Sequence, residues 1–153
     1  MSSNRLLSNL SRQDFALLEP HCAFRPSRHL EAIDLPLRKR LEKPHRRIDH
    51  VYFINAGFAS VVANVSNKPI EVGLIGREGM TGLSIVLGDV ERTANETYMQ
   101  AAGAGQRMSA GKLRDAIANS RSLHRNLLRY AHAFLIQTTS TALANGRSKS
   151  EEP

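Results

Sequence analysis

The chain contains one cysteine, Cys22, and that scarcity excludes an intramolecular disulfide, a cysteine-rich zinc site and an iron–sulfur cluster. No apolar run approaches the roughly 20 residues that a membrane span requires. The opening MSSNRLLSNLSRQDF has no apolar core followed by small residues that would mark a cleaved signal. A cytoplasmic, membrane-free protein is the simplest reading. Catalytic signatures are also lacking, with no Walker sequence and no G-x-S-x-G elbow. The histidines (His21, His29, His45, His50, His124 and His132) include no H-x-H pair, and His124 and His132 are too far apart to share one ion. No metal site, no catalytic residue and no enzymatic activity are predicted, because an isolated histidine is more often a surface or satisfied core residue.

What is present is a chain of 153 residues, 41% of them hydrophobic, enough for one domain with a substantial core. Its charge is basic, with 21 Lys and Arg against 14 Asp and Glu, and the densest run is RKRLEKPHRR from Arg38 to Arg47. Such a run could follow a phosphate backbone. Glu42, Pro44 and Asp49 interrupt or flank it, however, and it holds no aromatic residue to stack a base. A solvated strand edge and turn is the better assignment, since charge also protects strand edges.

Ser11 reads as a helix N-cap, with Asp14 in the position of a weak capping box and Phe15, Leu17 and Leu18 on an apolar face before Pro20. From His29 to about Ala102 the pattern changes to short strands: Ala32–Leu37, Val51–Ile54, Ala59–Asn64, Ile70–Ile75 and Thr97–Ala102. Asn55-Ala56-Gly57 tolerates positive φ, so VYFINAGFASVV reads as a hairpin. The expected class is mainly β with helices (α+β), an antiparallel β-roll or jelly roll.

The most informative segment is IEVGLIGREGMTGLSIVLGDVERTANETYMQ, Ile70 to Gln100. Glycines at 76, 79, 82 and 88 force repeated turns. Such a loop gathers backbone N–H groups into a concave cluster, and Arg92 and Thr93 could add charge-assisted and hydroxyl bonds to an anion. After Ser109, a predicted N-cap, Leu113, Ala116 and Ile117 mark a short helix. Ser122–Ala144 then runs without Gly or Pro, a rod of roughly 35 Å. Leu123, Leu127, Tyr130, Phe134, Gln137 and Thr141 lie alternately four and three apart, the spacing of a coiled-coil seam. Leu128, Ala131, Leu135, Thr138 and Ala142 form a second stripe. The first stripe is expected to face another subunit and the second the β-roll, with one broad intramolecular face as the alternative.

The order of these pieces, VYFINAGFASVV, then VGLIGREGMTGLSIVLG, then Arg92-Thr93-Ala94, then a short and a long helix, resembles the sensory half of a Crp/Fnr-type transcriptional regulator. That group includes the bacterial catabolite activator protein. The resemblance implies a cyclic-nucleotide-binding-like β-roll over residues 1–109, a short helix and a homodimerising helix over 110–146, and a truncated hinge over 147–153. DNA reading would need a helix-turn-helix domain that this chain lacks. The implied ligand site is Met80, Thr81, Gly82, Leu83 and Ser84 with Arg92, Thr93 and Ala94. In family members a G-E-L acid accepts the ribose hydroxyl and the arginine of R-S-A or R-T-A meets the cyclic phosphate. Here Gly82 falls where the acid belongs, so weak or absent binding of ordinary cyclic nucleotides is expected. No other cofactor is predicted. The alternative is a stand-alone interaction module, or a dominant-negative partner of intact relatives.

Overall fold

A computed structural model describes residues 4–19, 29–88 and 92–151; Cys22, His21 and the predicted tail beyond Glu151 lie outside them. The elements are α1 (Arg5–Ser8), α2 (Arg12–Leu18), β1 (Glu31–Leu35), β2 (Arg40–Glu42), β3 (His50–Val65), β4 (Lys68–Ile75), α3 (Leu83–Gly88), β5 (Glu96–Ser109), α4 (Ala110–Asn119) and α5 (Arg121–Glu151). The strands pair antiparallel in the order β1-β5-β3-β4, and β2 also pairs with β5. This is the predicted antiparallel β-roll, with helices before and after it.

The predicted hairpin in VYFINAGFASVV is not a hairpin. Gly57 does adopt a left-handed φ of 78°, but the chain runs on, and β3 is one strand of 16 residues paired with β5 on both sides of that point. The register shifts near Ile54, Ala56 and Phe58 are bulges, which bend a strand without reversing it. The reversal comes later, where Ser66 (φ 52°) and Asn67 (φ 63°) are both left-handed between the paired Val65 and Lys68. Two consecutive positive-φ residues make the tight turn that matches strand twist; Gly57 alone does not.

Strand alternation divides the interior in two. Val51 and Phe53 point to a core shared with the helices, together with Leu7, Leu18, Ile85, Met108, Leu113, Leu123 and Leu127. Tyr52 and Ile54 point to the inside of the roll, with Leu35, Leu41, Ala59, Val61, Ile75 and Met99.

The helices are fixed by polar clasps. Ser11 caps α2, accepting from Asp14 N at 3.1 Å, and Ser109 caps α4, accepting from Lys112 N at 3.2 Å. The Asp14 carboxylate does not close a capping box. It accepts from Ser120 Oγ at 2.6 Å and from Ser122 Oγ at 2.7 Å, joining α2 to the α4–α5 junction. These bonds, that from Ser120 first, hold its carboxyl below the ordinary aspartate value. Asn4 Nδ2 donates to Ile54 O at 2.7 Å and to Gly79 O at 2.9 Å, tying α1 to the roll.

Helix α5 extends past Ala144 and through Gly146 to Glu151, so residues 147–151, expected as a truncated hinge, continue the helix. Its faces follow neither stripe cleanly: Ala131 of the second stripe is buried, as expected of a residue against the chain's own core, while Leu128 and Leu135 of that stripe are exposed. Leu123 and Leu127 are fully buried in this chain's own core, and Tyr130 and Phe134 pack against the two cores. The exposed apolar residues are Leu128 (37%), Leu135 (61%), Ile136 (54%) and Leu143 (65%). Roll and partner helix both demand apolar residues, so seam spacing cannot assign which covers which.

Candidate ligand cradle

The cradle starts where β4 ends. Met80 bridges to Phe53 of β3, Thr81 N donates to Tyr52 O at 2.9 Å, and Tyr52 N donates to Thr81 Oγ1 at 2.9 Å. Pinned this way, the chain turns at Gly82 (φ 83°) into α3. A side chain at Gly82 would collide with Val51, and positive φ is strained for any other residue. The position taken for the ribose-binding acid therefore has no room for one, and Leu83, next in line, is apolar.

The carboxylate at this place comes from elsewhere. Gly82 N donates to Glu42 Oε1 at 2.7 Å, and burial pushes the Glu42 carboxyl above its ordinary value against the opposing effect of that bond. Beneath α3 lies a cavity of about 80 Å³ bounded by Glu42, Met80 to Ser84, Thr93, Asn95 and Thr97, with Val61, Ile75 and Phe134 as apolar wall. Pockets for drug-sized ligands begin at roughly 300 Å³. The Ser84 hydroxyl is buried and has no hydrogen-bond partner.

Of the eight predicted residues, Met80, Thr81, Gly82, Leu83, Ser84 and Thr93 come together around this cavity, whereas Arg92 and Ala94 do not line it. Arg92 is exposed and its Nη1 donates to His45 O at 2.8 Å, on the loop between β2 and β3. There it adjoins a polar groove of about 660 Å³ lined by Arg40, Lys43, Arg46 and Arg47 of the basic run. Glu42 borders both spaces. In the sequence Glu42 reads only as an interruption of the basic run. A register shift in β2 between Arg40 and Glu42 breaks the alternation that would have shown its direction.

Helix α5 closes the cradle from behind. Gly73 leaves space for Phe134, whose Cζ would lie 2.7 Å from a Cβ there. The Tyr130 phenol fills the space beside Gly79 and bonds the Met80 backbone; burial pushes it well above the ordinary tyrosine value. The two rings lie 6.3 Å apart at 45°. At the other end, His124 Nε2 donates to Val86 O of α3 at 2.8 Å. The predicted seam residues Leu123, Leu127, Tyr130 and Phe134 thus serve the chain's own packing, while Gln137, exposed, approaches Leu74 N through Oε1 at 3.4 Å. Thr141 is half-buried, and its hydroxyl donates to Gln137 O within the helix. Among the described residues no group of three His, Cys, Asp or Glu could hold a metal, and no helix is long and apolar enough to cross a membrane.

No family model matches the chain, and no curated protein matches it. Solved structures do. A CooA variant from Carboxydothermus hydrogenoformans superposes with a TM-score of 0.66 at 10% identity, over 93% of this chain and 84% of that one. The N-terminal domain of a transcriptional regulator from Streptomyces coelicolor A3(2) gives 0.60 at 14%, over 92% and 96%. CLP of Xanthomonas campestris, described as a c-di-GMP-responsive global regulator, gives 0.58 at 17%; the match takes in 80% of this chain and 58% of that regulator's. The fold is that of a Crp/Fnr-like cyclic-nucleotide-binding domain.

Proposed function

We propose that this chain is the sensory and dimerisation unit of a Crp/Fnr-type transcription regulator acting in the cytoplasm, a binding domain rather than an enzyme. The observation that supports this most is the seat of α5: Tyr130 and Phe134 rest on the cradle itself, so a change in the cradle's contents alters the packing of the helix. Signalling would be a population shift between two positions of that helix, and operator reading would belong to a helix-turn-helix domain elsewhere. Ordinary cyclic nucleotides are poor candidates for the effector, since the cavity is small, Gly82 excludes a ribose-binding acid of its own, and Arg92 is turned outward.

The homodimer contact moves to the outward stripe. Leu128 and Leu135 are seven residues apart, as are Ile136 and Leu143, which is heptad spacing on the face α5 leaves uncovered. Leu135→Glu is expected to convert dimers to folded monomers in sedimentation velocity. A wild-type chain that sediments as a monomer, or a dimer that survives the substitution, overturns the assignment. The same stripe suits the helix of an intact relative, which supports the second reading, a dominant-negative partner.

A further inference from the structure

The cradle's own chemistry indicates a ligand class. Among the described residues no cation pairs with Glu42: Arg40 engages Glu96 at 2.9 Å, and Arg92 engages a carbonyl. A carboxylate largely withdrawn from water with one N–H donor is poorly compensated, and a cation at its side is the direct remedy. The same cavity holds a buried hydroxyl without a partner, that of Ser84, and the buried Thr97. An ammonium group has three donors to distribute among such oxygens, and the Phe134 ring on the wall adds a face that attracts cations. Val61, Ile75 and Met80 offer apolar contact for a short tail. The cavity, about 80 Å³, is well below the roughly 300 Å³ at which drug-sized sites begin, which suits ammonium or a short amine.

We infer that the cavity beneath α3 is a binding site for a small primary ammonium compound, held by Glu42 and the Ser84 hydroxyl. Its binding stands on the cavity alone; its use as a signal rests on the sensory reading. A short alkylammonium would satisfy the carboxylate and the orphan hydroxyl together, and would press on Phe134 from inside.

The test uses the full chain in thermal-shift and calorimetric titrations with methylammonium and propylammonium chloride, sodium chloride at equal ionic strength, and cyclic AMP. Saturable stabilisation by one of the amines above the salt control is expected, with none from cyclic AMP. Glu42→Gln should weaken amine binding by at least about tenfold, the loss of a charge-assisted bond, and Ser84→Ala should weaken it by a smaller factor. Ser84→Ala also serves if Glu42→Gln fails to fold. Absence of a saturable amine effect, or one unchanged in the variants, overturns the proposal. Sedimentation with and without amine separates it from the sensory reading: binding that leaves the dimer and α5 unaltered retains the site and removes the signal, whereas an effector of other chemistry retains the signal and removes this site.

Discussion

Strand β3 has two faces, and they front two different interiors. The helix-side core, around Val51 and Phe53, is built from apolar side chains of α1, α2, α3, α4 and α5. The roll interior, around Tyr52 and Ile54, adjoins a cavity and a largely buried carboxylate. One strand thus separates a region organised for stability from one that carries an electrostatic cost, the usual mark of a binding site. The aromatic pair on α5 spans the division, with Tyr130 on the first core and Phe134 on the second.

Substitutions on each side should separate the two. Phe53→Ala, which empties a fully buried site in the helix-side core, should cost about 3–5 kcal/mol in urea unfolding; a loss below about 1 kcal/mol would mean that this core does not carry the fold. Asp14→Asn weakens the clasp over the same core, and a loss of about 1–3 kcal/mol is expected at neutral pH. Because the native carboxyl lies below its unfolded value, this stabilisation is present above about pH 4 and disappears as pH falls through the native value. The variant should lack that acid limb in pH-dependent melting. Glu42→Gln, on the roll side, should have the smallest effect and the opposite sign. A raised carboxyl favours the folded state below its unfolded value, and that advantage is lost as pH rises through the native one. Melting of the variant without amine should therefore equal or exceed wild type on the alkaline side; a marked loss there would show that the charge itself supports the fold.

Local grammar in the sequence was enough for the caps at Ser11 and Ser109, the strand ending at Ile75, the long helix and the β-roll class, because capping and alternation are short-range effects. Other features depend on tertiary placement. Gly57 carries the backbone conformation its sequence suggests, yet whether that produces a turn or a bulge depends on β5 lying alongside. Leu83–Gly88 reads as a short apolar run and becomes a helix, α3, seated on α4 and α5. Six of the eight residues singled out from the glycine-punctuated segment and the Arg92-Thr93-Ala94 run fall around one cavity. Glu42 and Phe134 were not legible as part of it, since both arrive from distant strands and helices, and Arg92 turned outward to a loop its own sequence does not mention.

The Asp14 clasp also makes α5 a lever. Its serines hold the start of the helix at Ser122, while Phe134, about 18 Å along at 1.5 Å per residue, rests on the cradle and Glu151 lies about 43 Å out. Were the near end to stay fixed, a displacement of about 1 Å at Phe134 would become about 2.4 Å at the far end by proportion of those lengths. In the proposed sensory reading, that proportion would carry a small change at the pocket to the distal tip of the helix, where anything attached to it would feel it.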